Sequence, residues 1–122
     1  MAKTLLIVDD SRLSRMMIAA IVNEYGGDWS TVEAASADEA LTQVKAHNIT
    51  AVTLDMNMPG RSGLEVAPEL KQIVGDIEIA LVTANVQKSV KEQAENLGLS
   101  FISKPVTEEK IVAYLERVDS LL

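Results

Sequence analysis

Five side chains able to do chemistry stand at the ends of short apolar runs. Asp9 and Asp10 follow residues 5–8, Asp55 closes 51–55, Thr83 follows 79–82, and Lys104 follows 99–103. If each run is a strand of one parallel sheet, three carboxylates, a hydroxyl and an amine arrive at its carboxyl edge, where open α/β sheets bind their ligands. Three carboxylates held close together repel one another, which raises the free energy of the fully ionised state. A hard divalent cation relieves that repulsion. Mg²⁺ takes oxygen donors and keeps several waters, so two or three carboxylates plus a phosphate oxygen suit it. Zn²⁺ suits the site poorly, because there is no Cys and the single imidazole, His47, has no partner pattern. Taken singly, Asp9-Asp10 read equally well as turn or cap residues. The joint arrival of all the groups, each at the end of its own run, argues for a site.

The elements that must carry these residues follow from the spacing. Residues 5–8 form a continuous apolar run, as expected of a strand covered on both faces. Leu13, Met16, Met17, Ala20 and Ile21 fall at helical offsets, and Gly26-Gly27 ends that helix. A second strand is expected at 31–35. Ser36 and Glu39 then have capping-box spacing and open a helix through about His47. The third strand is 51–55. Met58-Pro59-Gly60 is a turn, and Ser62 with Glu65 repeats the capping-box spacing before a helix with Leu64, Ala67, Leu70 and Ile73 inward. Pro68 removes a backbone donor inside that helix and predicts a kink or irregular first turns. The fourth strand is 79–82. A weaker helix follows, with Val86, Val90, Ala94 and Leu97 on one side and Gly98 as its stop. After the fifth strand at 99–103, Thr107 caps a last helix burying Ile111, Tyr114, Leu115, Val118 and Leu122. Alternating β and α units with right-handed crossovers give an α/β fold: a five-stranded parallel sheet with helices on both faces.

Composition narrows the function classes. The chain has 122 residues, the size of one domain spanning 1–122, and a second folded output module is not expected. Its formal charge is -7 with no cluster of Lys and Arg, which opposes nucleic-acid binding. No apolar run approaches the roughly 20 residues of a membrane span, and with no Cys the chain is expected in the cytoplasm.

The segments LLIVDDS at 5–11, LDMNMPGRSG at 54–63, VTA at 82–84 and FISKP at 101–105 resemble the receiver domains of two-component signalling, the CheY-like ones above all. The resemblance covers essentially the whole chain and implies the flavodoxin-like strand order 2-1-3-4-5. It implies that Asp55 accepts a phosphoryl group, and that Asp10, Asp55 and the backbone carbonyl of Asn57 ligate Mg²⁺, with Asp9 supporting the metal largely through water. It further implies that the Thr83 hydroxyl and the Ala84 backbone N–H meet phosphoryl oxygens, that Lys104 pairs with the phosphoryl group, and that the peptide bond before Pro105 is cis. These roles suit the chemistry, since phosphoryl transfer needs in-line positioning and neutralised equatorial oxygens. The donor would be a phosphohistidine on a sensor histidine kinase or phosphotransfer protein, the chain having no Gly-Lys-Ser/Thr loop for ATP.

Leu13, Ser14 and Met17 are candidate contacts for that partner, although the spacing of Met17 fits a core position equally well. Phe101 matches the aromatic switch residue; its other reading is a packed strand-edge Phe. Lys88, Lys91, Phe101 and Tyr114 are candidates for the output face, whose target is open. The chain departs from CheY at Met56, where CheY has Trp, and at Asn85, where CheY has an acid. The expected function is a phosphorylation-dependent binding switch, a monomer or weak dimer without a separate substrate. A chemotaxis role, a phosphorelay shuttle or phosphate sink, and a phosphorylation-independent adaptor all fit the same residues. A flavin carrier on this topology is opposed by the acidic pocket.

Overall fold

The computed structural model of the chain describes residues 2–122. Its elements run β1 (Lys3–Val8), α1 (Arg12–Tyr25), β2 (Trp29–Ala34), α2 (Ala37–Ala46), β3 (Ala51–Asp55), α3 (Gly63–Val74), β4 (Glu78–Thr83), α4 (Lys88–Asn96), β5 (Ser100–Ser103) and α5 (Glu108–Leu121). The five strands form one parallel sheet in the order β2-β1-β3-β4-β5, as expected. No helix among the described residues is long and apolar enough to cross a membrane.

Strand alternation divides the core into two layers. Leu6, Val8, Val52, Leu54, Ile79 and Leu81 face α2, α3 and α4, while Leu5, Ile7, Ala51, Ala80 and Val82 face α1 and α5. Leu5, Leu6 and Ile7 are fully buried, and each such side chain contributes about 1.5–3 kcal/mol relative to exposure. The continuous apolar run of β1 thus fills both layers at once, which fixes it as an interior strand. Tyr114 of α5 joins the sheet from below: its buried hydroxyl lies 3.1 Å from the Val52 carbonyl and 2.9 Å from that of Glu78. Burial pushes its phenol far above the ordinary range.

Side chains start four of the five helices. Ser11, Ser36, Ser62 and Thr107 accept hydrogen bonds from the backbone N–H three residues on. The box is complete only at Ser62–Glu65; at α2 the Glu39 carboxylate takes the N–H of Ala35 instead. Helix α4 starts at Gln87 without a side-chain cap. The irregular turns expected at Pro68 do not occur. Helix α3 is continuous from Gly63 to Val74, its first turn is closed by the capping box, and Pro68 lies exposed.

Several inward assignments need correction. Helix α1 buries Ile18 and Val22 rather than Leu13, Met16 and Met17, which are at least half exposed. Both stripes have helical spacing; packing against Trp29, Tyr114 and Val118 selects the one carrying the branched residues. Ile73 is exposed because it lies off the face of α3 that carries Val66, Ala67, Leu70 and Val74 to the core, and Leu122 is exposed at the end of α5, beyond Val118, its last buried residue. Val86 is exposed in the loop before α4, which begins two residues later than its pattern suggested.

At the amino edge of the sheet, Asp119 of α5 gathers three donors. Lys3 Nζ reaches it at 2.5 Å, the Tyr25 hydroxyl at 2.9 Å and Trp29 Nε1 at 3.1 Å, and Lys3 also stacks on the Trp29 ring. Burial raises the Asp119 pKa, but the three hydrogen bonds outweigh it and the net shift is downward. A carboxylate held below its ordinary range contributes stability at neutral pH that is lost as pH falls through its folded value. Asp119→Ala is expected to lower unfolding free energy by about 1–3 kcal/mol at neutral pH in urea titrations. The deficit relative to wild type should shrink in acid, with emission of the single Trp29 as the readout.

Candidate functional site

The register of the parallel strands builds the site. Leu5 stands beside Ala51 and Ile7 beside Thr53, so one pleat further Asp9 arrives beside Asp55. On the other flank Asp55 pairs with Val82, and Val82 with Ile102, two residues before Lys104. Asp9, Asp55 and Lys104 therefore share the pleat face that looks toward α1 and α5. The carboxylates of Asp9, Asp10 and Asp55 have ligand oxygens all within 4.8 Å of one another, with Asp9 and Asp55 buried and Asp10 exposed. The site borders a cleft of about 200 Å³ lined by Asp9, Met17 and Ile18 on one side and Lys104, Pro105 and Val106 on the other.

The electrostatics of Asp55 are unbalanced. Desolvation pushes its pKa up, the Lys104 ammonium pulls it down, the neighbouring Asp9 charge pushes it up again, and the Asn57 backbone donates a lowering hydrogen bond; the net shift is upward. Lys104 Nζ stands 3.1 Å from Asp55 Oδ1. The approach lies off the hydrogen-bond direction, so this buried oxygen accepts no hydrogen bond, and the contact is electrostatic. An acceptor left without a donor, two further carboxylates beside it and no nitrogen or sulfur donor in the cluster form a hard-oxygen set that fits Mg²⁺.

The remaining expected residues are spread more widely. Thr83 is buried at the end of β4, and its Oγ1 accepts the Asn85 N–H at 3.0 Å. Ala84 and Asn57 are exposed beside it. The Lys104–Pro105 peptide bond is cis. Phe101 is half-buried on β5, with Lys91 Nζ 5.7 Å from its ring centroid. Lys88 pairs with Glu92 on the exposed side of α4. Tyr114, an expected output-face residue, belongs to the core instead: it is 4% exposed and its hydroxyl serves the backbones of β3 and β4. Ser14 and Met17 line the α1 side of the cleft, while Leu13 stands outside that lining; Leu13 and Met17 are well exposed.

Three supports were not singled out in the sequence. The Ser11 N–H holds Asp9 Oδ1 at 2.8 Å. Arg15, its side chain mostly buried, donates from Nη1 to the Asp9 carbonyl at 2.7 Å and from Nε to Glu33 at 3.0 Å, tying the β1–α1 loop to β2. Gly63 starts α3 so close beneath Asp55 that an added Cβ would stand 2.5 Å from the Asp55 carbonyl oxygen. A Gly directly after a capping Ser was the available signal for that close approach.

The family model of the response regulator receiver domain matches residues 5–116. The chain is 32% identical over 118 residues to the chemotaxis protein CheY of Bacillus subtilis, covering 96% of this chain and 98% of that protein. It is 34% identical over 119 residues to the phosphate regulon transcriptional regulatory protein PhoB of Pseudomonas aeruginosa, covering 95% of this chain but 51% of that protein. It thus spans nearly all of one relative and about half of the other. The solved structure of CheY4 from Vibrio cholerae superposes with a TM-score of 0.88 at 24% identity, over 97% of this chain and 99% of that one, and supports the fold.

Because the pKa of Asp55 is raised, its ionised form opposes folding above that pKa, and protonation removes the opposition in acid. Asp55→Asn is expected to raise metal-free stability at pH 7 by about 1 kcal/mol, a few degrees in Tm, with the gain fading in acid. Gly63→Ala should act oppositely, destabilising by about 2 kcal/mol or more because a backbone atom blocks the new methyl group. Thermal melts of the two variants across pH check both.

Proposed function

The chain belongs to the response regulator receiver domain family, and on that premise we propose that it is a phosphorylation-dependent binding switch whose phosphoryl acceptor is Asp55. The observation that carries this reading is the buried Asp55 oxygen that accepts no hydrogen bond, set between the Lys104 ammonium and two further carboxylates. In this reading residues 1–122 act as one receiver domain. The Asp55 carboxylate attacks the phosphorus of a phosphohistidine on a sensor histidine kinase or phosphotransfer protein. A P–O bond forms as the P–N bond breaks, and the released imidazole takes a proton from water.

Asp10, Asp55 and the Asn57 carbonyl would hold Mg²⁺, with Asp9 supporting it. When bound, the ion supplies charge neutralisation for the phosphoryl oxygens. Lys104 pairs with one of those oxygens. Thr83 accepts from the Asn85 N–H and keeps its own O–H to donate to another, beside the Ala84 N–H. A phosphoryl group adds roughly -1.5 to -2 charge and three acceptors. Drawing Thr83 toward it would disturb the Asn85 turn, and through it the start of α4, where Lys91 covers Phe101. Output would then leave through Phe101, Lys88 and Lys91.

The phosphodonor would dock on Ser14 and Met17, across the cleft from Lys104, and on the exposed Leu13 beside Ser14 in α1. The similarity to a chemotaxis protein of nearly equal length favours a cytoplasmic chemotaxis role. Incubation with Mg²⁺ and acetyl phosphate is expected to add one phosphoryl group by intact mass, and omission of Mg²⁺ or the change Asp55→Ala to abolish it. A wild-type protein that stays unlabelled, or an Asp55→Ala variant labelled to the same extent, refutes the reading.

A further inference from the structure

Lys110 occupies a place in which a cation is disfavoured. It is the third residue of α5, within the first turn, where free N–H groups carry partial positive charge. No carboxylate pairs with it among the described residues. Its ammonium instead turns back onto the β5–α5 loop. It donates to the Ser103 carbonyl at 2.8 Å, to Ser103 Oγ at 3.1 Å and to the Pro105 carbonyl at 3.1 Å. An ammonium carries three protons, and three acceptors meet them.

Those acceptors stand on the residues immediately before and after Lys104. Strand β5 is four residues long and lies at the sheet edge, paired on one side to β4. The Lys104 backbone is tied to that neighbour by its own N–H, which donates to the Thr83 carbonyl at 2.9 Å. On the open side, Lys110 takes the place of the missing strand. We propose that Lys110 is a positioning residue that clamps the backbone on both sides of Lys104, so that the Lys104 ammonium is held ready at the Asp55 phosphoryl site. The inference rests on the reading of Asp55 as phosphoryl acceptor.

Lys110→Met keeps the stem and removes the donors. In metal-free protein the Lys104 amide is expected to exchange with deuterium roughly tenfold faster than in wild type, while the Ser11 amide, on a different loop, is unchanged. Labelling of Asp55 by acetyl phosphate should slow roughly tenfold, with the Mg²⁺ concentration for half-maximal rate unshifted, because the clamp touches none of the acidic residues. Lys110→Arg, which retains donors, should recover most of both effects. In a Lys104→Ala background, Lys110→Met should slow labelling no further. Wild-type exchange and labelling in Lys110→Met, or a slowing that persists in full without Lys104, overturns the proposal while labelled wild type leaves the Asp55 reading standing. An unlabelled wild type overturns both together.

Discussion

The register of the three inner parallel strands is the constraint on which the rest of the structure depends. In a parallel sheet, neighbouring strands advance in step and side chains alternate with a period of two. Once Leu5 is set beside Ala51 and Ala51 beside Glu78, every later position on β1, β3 and β4 has its face assigned. The same alternation that sends Leu6 and Leu54 into one core layer and Ile7 and Val82 into the other delivers Asp9 and Asp55 side by side at the edge. A slip of one residue would turn Asp55 toward α3 and send Leu54 into the opposite core layer. Hydrophobic burial along the strands therefore holds the acidic residues where their own repulsion would not leave them.

That enforced proximity leaves the carboxyl edge under electrostatic tension. Asp9 and Asp55 are buried beside each other, and Lys104 offsets part of the charge without hydrogen-bonding the nearest oxygen. The surrounding scaffold is better satisfied, the buried Thr53 hydroxyl of β3 excepted. Ser11 and Arg15 fix the Asp9 loop, Gly63 lets α3 begin directly beneath Asp55, and Lys110 fills the open side of β5. The opposite edge shows the alternative use of a carboxylate: Asp119 draws in Lys3, Tyr25 and Trp29, and its charge is fully partnered. Asp119 ties the molecule together, while Asp55 is left receptive.

The sheet and its acidic edge were legible because their signals are local and redundant. Continuous apolar runs, serine caps and terminal glycines marked the elements, and the paired Asp9-Asp10, Asp55 and Lys104 stood at run ends where a parallel sheet collects them. Helix α1 was harder. Leu13, Met16 and Met17 have the same periodicity as Ile18, Val22 and Tyr25, and periodicity alone does not rank two stripes. Tyr114 was claimed by both the core and the output face, and its two backbone acceptors on β3 and β4 decide for the core.

By itself the sequence determined which residues were available and the order in which the chain would deliver them, since burial patterning and caps act over a few residues. Tertiary structure alone decided which oxygen of Asp55 would lack a hydrogen bond, which stripe of α1 would face solvent, and that Lys110 would turn back from its helix onto the strand carrying Lys104. Those outcomes depend on angles and distances between segments far apart in the chain. Such terms are fixed only when the layers pack, because a hydrogen bond needs direction as well as a partner.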